Sequence, residues 1–445
     1  MNDKVVKALG YVDESYISDA AQKKKKHRKY WIGVAAAALA LAFLFHTAGT
    51  PLILTAHAVA TASGSHRRAE MSQMATDALS DLQPFFTAGS AQFLGGGDGE
   101  NRLWSPVNAY IGLAMVTELT EGESRRQILD LFGAEDTDTL RRQVSALWER
   151  VYRDEKGNEV SVLANSLWLE KGLSYQRKAI NRLADDYHAS VYRGDLGSAT
   201  MNRAIAAWLD SNTGGLLKDA AQKIDLAPET VLALYSTIYF QAKWSEQFSR
   251  SNNTTDVFHA FGGDVTATFL NKKSSDMYYY WGDTFSAVSL SLKNGSSMWF
   301  ILPDEGCTTE DVLSDGQYME MLVQQDWENK QYMMVNLSVP KFDVSSTMDL
   351  KDGLQQMGVT SVFTSGRADF SAITGDTPLF LSAANQSVRV QIDEEGVKAA
   401  AYIELPLYGS AAPPDEIIDF VVDRPFLFAI TKSSIPLFMG TVHQP

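Results

Sequence analysis

The sequence predicts a mixed α+β domain that contains several β-sheets. Segments with helical and with strand periodicity are interleaved along the chain, without the regular strand–helix–strand order of a doubly wound sheet. Hydrophobic residues account for 45% of the 445 residues and aromatic residues for 11%, so the chain is able to bury a large core. The sequence has no internal repeat. These observations together favour a single domain with several sheets.

Individual elements follow from the spacing of the apolar residues. Helices are expected over 71–86, over 106–119 as a buried helix, and over 123–132 with polar faces. Strands are expected where apolar residues alternate or run continuously, at 162–169, 231–240, 287–292, 298–302 and 333–339. The interleaving of these segments is the basis of the α+β prediction.

The N-terminal segment is expected to direct export. Residues 1–29 form a basic head with a net charge of +4, and no Asp, Glu, Lys or Arg occurs from Tyr30 to His66. Because about twenty apolar residues cross a bilayer as a helix, residues 30–50 are long enough. The preceding positive charge would keep the N-terminus in the cytoplasm and place the body outside.

Two interpretations of residues 30–60 remain open. The long head favours an uncleaved signal anchor, whereas small residues near Ala60 would suit a signal peptide that is cut there. In both cases residues 61–69 are expected to be a linker, and residues 70–445 the functional domain.

Charge and composition exclude several functions. The chain has a formal charge of −15, and the part after residue 29 has about −19, so a nucleic-acid-binding surface is not expected. Cys307 is the single cysteine, which excludes an intramolecular disulfide and a cysteine-type metal site. The sequence lacks the Gly-x-Ser-x-Gly and His-Glu-x-x-His motifs. We therefore expect no enzymatic activity, no metal and no cofactor.

The segment after residue 386 has an unusual pattern. Residues 387–393 alternate as a half-buried strand, which Glu-Glu-Gly at 394–396 then interrupts. The alternation resumes beyond this interruption and continues into the small, turn-rich residues 409–414. Its apolar face consists of Val397, Ala399, Ala401, Ile403, Leu405 and Leu407. An ordinary hairpin would explain alternation and a turn, but not the run of small residues that begins this segment.

This segment resembles the hinge of the serpins, in which small residues allow a loop to slide between two strands. The hinge residues are Glu394, Glu395, Gly396, Val397, Lys398, Ala399, Ala400 and Ala401. Seven other segments resemble motifs of that family in the same order. They are Trp-Ser-Pro-Val-Asn at 104–108, Ala-Asn-Ser-Leu-Trp at 164–168, the segment 208–215, Thr-Ile-Tyr-Phe-Gln-Ala-Lys-Trp at 237–244, Val-Pro-Lys-Phe at 339–342, Arg-Pro-Phe-Leu-Phe at 424–428 and Pro-Leu-Phe-Met-Gly at 436–440. The resemblance covers about residues 70–445 and implies a membrane-anchored or secreted bacterial member.

The resemblance implies a serpin fold with a large central sheet, two smaller sheets and about eight or nine helices. It also implies suicide inhibition: a serine protease attacks the exposed loop and forms an acyl-enzyme, and the cut loop then inserts as a new strand of the central sheet. The apolar face that begins at Val397 fits this mechanism. Its four large side chains would contribute roughly 6–12 kcal/mol when they are buried.

Counting from the hinge of the family places the bond that the protease attacks. The primary specificity residue is fourteen residues beyond Gly396, so the scissile bond would be Ser410–Ala411. The residues just upstream are Leu407, Tyr408 and Gly409. Small residues on both sides of the bond suit an elastase-like protease, and a cut after Tyr408 or Leu407, suited to a chymotrypsin-like protease, is the alternative.

Three loop residues depart from the pattern of the family. Lys398 and Tyr402 stand where an acidic and a small residue are usual, but both face outward. Pro406 has no N–H to donate, so we expect it to weaken the far end of the inserted strand.

The polar cluster beneath the central sheet, here called the shutter, also differs. Ser105 begins it, and Asn108, Ser236 and Gln386 stand where the family has Ser, Asn and His. We expect these side chains to keep a hydrogen-bonded network.

The resemblance thus implies an exported monomer that inhibits an elastase-like serine protease through a covalent acyl complex. The membrane would be a further contact through residues 30–50 if the segment is not cleaved. The alternative is a non-inhibitory serpin that acts as a carrier or chaperone. Such a protein would carry a bulky or charged residue at the start of the hinge, whereas Val397 and the alanines that follow favour a mobile hinge.

Overall fold

The computed structural model of the chain describes residues 57–60, 81–155, 159–324, 327–375, 378–397 and 417–445. These ranges contain ten α-helices: α1 Gln83–Leu94, α2 Pro106–Leu119, α3 Gly122–Leu131, α4 Thr137–Val151, α5 Arg177–Asp186, α6 Ala199–Asn212, α7 Lys218–Ala221, α8 Thr309–Asp315, α9 Gln317–Val323 and α10 Lys351–Gln356.

The same ranges contain seventeen strands: β1 His57–Ala60, β2 Arg102–Trp104, β3 Arg153–Glu155, β4 Glu159–Glu170, β5 Ala189–Gly194, β6 Leu232–Lys243, β7 Thr254–Ala260, β8 Gly263–Trp281, β9 Phe285–Ser291, β10 Ser296–Pro303, β11 Lys330–Pro340, β12 Phe342–Asp349, β13 Asn385–Ile392, β14 Gly396–Val397, β15 Ile417–Val421, β16 Phe426–Lys432 and β17 Ile435–Val442. The irregular order of helices and strands confirms the predicted α+β class.

The first sheet is the large central sheet that the sequence predicts. It has eight strands, in the order β1-β5-β4-β6-β14-β13-β12, with β3 paired to β4. Its longest ladder joins β4 and β6 in antiparallel register, from Val160 opposite Gln241 to Leu169 opposite Leu232. Among the described residues, the two-residue strand β14 is the one element that lies between β6 and β13.

The second sheet has nine strands, in the order β15-β11-β8-β9-β10-β16-β17-β2, with β7 paired to β8. Strand β8 is nineteen residues long and pairs with β7, β11 and β9 at successive positions. Because this one strand takes part in all three pairings, the two smaller sheets expected from the sequence are continuous in the structure.

Helix α2 lies at the centre of the core and positions part of the shutter. It covers the residues predicted as a buried helix, with Ser105 as the N-cap residue and Pro106 at the first helical position. Almost all of its side chains are buried, including Tyr110. On the first sheet, a smaller apolar cluster of Trp168, Met201 and Ile205 packs α6 against β4.

The N-terminal part of the chain is described only at β1, which pairs with β5 in antiparallel register at the edge of the first sheet. The predicted membrane span at 30–50 lies outside the described residues. Within the described ranges, no helix combines the length and the apolar character that crossing a bilayer requires.

Candidate functional site: the hinge and the gap in the central sheet

Strand β14 lies between β6 and β13 in the interior of the first sheet, beside the C-terminal end of each of these strands. Gly396 lies opposite Lys243 and Val397 opposite Ala242 on β6, while Val397 also lies opposite Ile392 on β13. Beyond these pairs, no ladder joins β6 to β13 in the part of the chain that the structure describes. The hinge therefore occupies the entrance of a gap in the sheet.

The gap itself contains two small voids, with volumes of about 20 and 30 Å³. Side chains of both flanking strands line them: Thr237, Ile238 and Phe240 on β6, and Ser387, Val388, Arg389, Val390 and Gln391 on β13. Leu216 and Leu217, between α6 and α7, contribute to the lining, as does Phe438 of β17. The lining of the gap thus combines apolar side chains with polar ones, which also include Asn108 and Thr213.

Gly396 is required by the narrowness of the gap at its entrance. A Cβ atom at this position would lie 2.4 Å from the carbonyl oxygen of Ala242 and 2.5 Å from the Cα of Lys243. Both contacts are with backbone atoms, which cannot move away as a flexible side chain could. In addition, the φ angle of 154° is one that residues with a side chain rarely adopt. Only glycine therefore allows the hinge to enter the sheet here.

A turn at Asp393 directs the chain from β13 into the hinge. The carboxylate of Asp393 accepts hydrogen bonds from the backbone N–H groups of Glu395, at 2.8 Å, and Gly396, at 3.1 Å. The indole Nε1 of Trp244 donates to the Asp393 carbonyl at 2.8 Å, and the Trp244 N–H donates to the Glu395 carbonyl at 3.2 Å. These bonds tie the hinge to the end of β6.

Glu394 forms a clamp with two neighbouring segments. Its carboxylate is buried, with the residue 7% exposed, and accepts hydrogen bonds from Asn253 Nδ2 at 2.6 Å and from Lys341 Nζ at 3.0 and 3.1 Å. Burial alone would raise the pKa of Glu394. Its own backbone N–H, Lys341 and Asn253 outweigh burial and hold the pKa below the ordinary value of 4.5. Glu394 is therefore ionised and paired near neutral pH.

The structure brings the four shutter residues together as two pairs. The side-chain amide of Gln386 accepts from the Ser105 N–H at 2.8 Å and donates to the Ser105 carbonyl at 3.0 Å. The hydroxyl of Ser236 donates to Asn108 Oδ1 at 3.3 Å. Ser105 and Asn108 both lie at the start of α2, so the two pairs join β13 and β6, the strands that flank the gap, to the same helical turn.

Several sequence-predicted site residues lie outside the described residues: Lys398, Ala399, Ala400 and Ala401 of the hinge, Leu407, Tyr408 and Gly409 of the specificity loop, and the bond Ser410–Ala411. Sequence reasoning missed Asp393, Asn253 and the clamp role of Lys341. Lys341 belongs to the Val-Pro-Lys-Phe segment, and its place in a family motif could have indicated a role for this side chain. Asn253 lies in no such motif, and only the fold brings it to Glu394.

Comparison with known proteins agrees with this geometry. The Serpin (serine protease inhibitor) family profile matches residues 90–445. An alpha-1-antitrypsin-like protein, GS55-MS, of Ictidomys tridecemlineatus is 30% identical over 355 residues, covering 78% of this chain and 83% of the relative. The chain therefore belongs to the serpin family, whose members are typically protease inhibitors and not enzymes.

Solved structures share the fold at lower identity. The native state of tengpin, a thermophilic serpin, superposes with a TM-score of 0.72 at 22% identity, covering 88% of this chain and 100% of that chain. Human thyroxine-binding globulin superposes with a TM-score of 0.67 at 21% identity, covering 84% of this chain and 98% of that chain.

Proposed function

We propose that the protein is an exported inhibitor of elastase-like serine proteases, which acts by cleavage at Ser410–Ala411 and insertion of the cut loop between β6 and β13. The observation that supports this proposal is the hinge: Gly396 and Val397 are already paired with β6, and Val397 also with β13, at the entrance of the gap. Membership of the serpin family, whose members are typically protease inhibitors, supports the proposed class of reaction.

The register of β14 defines where an inserted loop would lie. If the loop continues the register that Gly396 has with Lys243, Leu407 comes opposite Leu232, which is the first residue of β6. The inserted strand would thus have the full length of β6 and would end three residues before Ser410. This length is compatible with cleavage at Ser410 and equally with the alternative cut after Leu407 or Tyr408.

The same register explains the residue sizes in the hinge. Ala399 would lie between Phe240 and Val390, and Ala401 between Ile238 and Val388, where the flanking side chains are buried and large. Ile403 would then come between Ser236 and Gln386. Small residues are thus needed at the two inward positions after Val397, and the next large side chain on this face, Ile403, reaches the shutter.

Two glutamate substitutions on opposite faces of the loop test this register. Ala401→Glu would bury an unpaired carboxylate between β6 and β13, which costs several kcal/mol and slows insertion. Ala400→Glu is the matched control, since its side chain would lie on the opposite face, in the row of Tyr239 and Arg389. The measurement is the number of inhibitor molecules consumed per pancreatic elastase molecule inactivated.

We expect Ala401→Glu to raise this number at least tenfold, because the protease hydrolyses the acyl bond before the loop inserts. Ala400→Glu should stay within about twofold of the wild type. Equal effects of the two substitutions would contradict the proposed register.

The alternative is a non-inhibitory serpin, and thyroxine-binding globulin shows that the fold is not restricted to inhibitors. Pro406 is the residue that favours this alternative, because it would lie opposite Ala233 without an N–H to donate. Cleavage of the wild-type loop without any covalent complex would favour the carrier.

A further inference from the structure

The outer face of the second sheet carries exposed aromatic and aliphatic side chains on three adjacent strands. Tyr278 on β8 and Tyr332 on β11 lie opposite each other, and Ile417 on β15 lies opposite Met334, two residues further along β11. Tyr278 and Tyr332 are each 47% exposed, and Ile417 is 58% exposed. Their shared exposure is unusual in a sheet whose other face is buried, and we call Tyr278, Tyr332 and Ile417 the aromatic patch.

The two tyrosine rings support each other. Their centroids are 5.2 Å apart in an edge-to-face arrangement, which fixes the rings without burying them. The ammonium group of Lys330 lies 5.9 Å from the centroid of Tyr278, so the face of this ring already accepts a cation within the molecule.

Carboxylates lie beside the aromatic patch. Asp276 is exposed on β8 opposite Met334, and Asp419 is exposed on β15, where Asn336 Nδ2 donates to it at 2.7 Å. Aromatic faces flanked by carboxylates bind guanidinium and ammonium groups, through cation–π contacts and ion pairs. The chemistry of this surface therefore suits a basic partner.

The position of the aromatic patch identifies that partner. Ile417 follows the proposed scissile residue Ser410 by seven residues, so a protease engaged at Ser410 is at most about 25 Å of chain away from it. A protease is large compared with this distance, and its surface would face the sheet next to the loop.

We propose that the aromatic patch, together with Asp276 and Asp419, is a docking surface for a basic loop of the target serine protease. It would hold the protease beside the bait loop before acylation begins. This inference rests on the proposed inhibitory function and adds to it a second contact that selects the protease.

The test separates docking from inhibition. The binding partner is leukocyte elastase, a basic protease, with its nucleophilic serine replaced by alanine, so that no acyl-enzyme forms and only the encounter complex is measured. The variants are Tyr278→Ala with Tyr332→Ala, and Asp276→Lys. Phe380→Ala is the matched control, because Phe380 is 48% exposed but lies outside the aromatic patch.

We expect both patch variants to raise the dissociation constant about tenfold, and the control to leave it within twofold of the wild type. Asp276→Lys should also reduce the dependence of the dissociation constant on salt concentration. With active elastase, the association rate should fall by a similar factor while the number of inhibitor molecules consumed per protease stays constant. Unchanged dissociation constants would overturn the docking surface. A wild-type dimer dissolved by the same substitutions would also overturn it, by showing that a second copy occupies the face. Failure of the wild type to form any acyl complex would instead contradict the inhibitory function.

Discussion

Gln386 links the sheet that has to open with the helix beneath it. A side-chain amide has both a donor and an acceptor, so Gln386 pairs with both backbone groups of Ser105, where α2 begins. Ser105 is fully buried, and its hydroxyl donates to the carbonyl of Leu437 on β17 at 2.7 Å. The Gln386–Ser105 pair therefore restrains β13 on one side of the gap.

Replacing Gln386 by Ala should loosen this restraint. The substitution leaves the N–H of Ser105 buried without a partner, which costs about 1–3 kcal/mol, whereas the carbonyl of Ser105 keeps its hydrogen bond from the Ala109 N–H. We expect a lower free energy of unfolding and faster spontaneous insertion of the uncut loop, seen as faster loss of inhibitory activity on warming. Asn385→Ala, at the exposed neighbouring position, is the control. A rate of inactivation that equals the wild type would exclude a restraining role for Gln386.

The Glu394 clamp should make the hinge sensitive to acid. Because the folded state holds the pKa of Glu394 below its ordinary value of 4.5, the stabilisation is complete above that pH and is lost as the pH falls through the folded pKa. Glu394→Gln should therefore lower the free energy of unfolding near neutral pH and flatten its dependence on pH below 4.5. Urea titrations at a series of pH values measure both effects. The control is Glu305→Gln, at an exposed position, and an unchanged pH slope in Glu394→Gln would contradict the clamp.

At the level of single residues, the sequence predicted the shutter better than the clamp. Ser105 and Asn108 lie in a family motif and Ser236 directly precedes another. The structure places these three residues and Gln386 in contact as two pairs. Asn253 and Asp393 could not be predicted, because their roles depend on the turn after β13 and on the approach of the segment between β6 and β7 to the hinge.

Among the elements, β1 is the strand whose presence depends on whether the N-terminal segment is cleaved. It pairs with β5 at the edge of the first sheet, where an uncovered strand would present free backbone groups. Cleavage after Ala60 would remove β1, whereas an uncleaved segment would retain it.

Two truncated chains test the contribution of β1. A chain that begins at Thr61 lacks the strand, and one that begins at Ile53 keeps it and is the control. We expect the shorter chain to melt a few degrees lower and to form more oligomers, because the edge of β5 is then open to pairing with another copy. Calorimetry and size-exclusion chromatography measure these effects. Identical melting and elution of both chains would show that β1 adds nothing to the sheet.

The periodicity of apolar residues predicted about a third of the elements, mainly those in which burial of one face decides helix or strand locally. Helix α2 covers the predicted residues, and β4, β6, β9, β10 and β11 each include most or all of a predicted strand. The continuity of β8 was not predicted. Its middle residues, Asn-Lys-Lys-Ser-Ser at 271–275, are polar, and only pairing with β11 extends the strand through them.

For the whole molecule, the gap between β6 and β13 connects fold and proposed function. Both flanking strands are long, yet β14 pairs with β6 at only two positions and with β13 at one. An inserted loop would add backbone pairs on both sides, at roughly 0.5–1.5 kcal/mol each, as well as the burial of its apolar face. The sequence predicted that face, but whether a gap is open to receive it depends on strand order, which no local pattern contains.

The most direct test of the inhibitory mechanism is incubation of the wild-type protein with pancreatic elastase, followed by denaturing electrophoresis in SDS and N-terminal sequencing of the released peptide. We predict a complex that survives SDS, because the acyl bond is trapped by insertion, and a peptide that begins at Ala411. Quantitative cleavage of the loop without such a complex would contradict insertion between β6 and β13 as the means of inhibition.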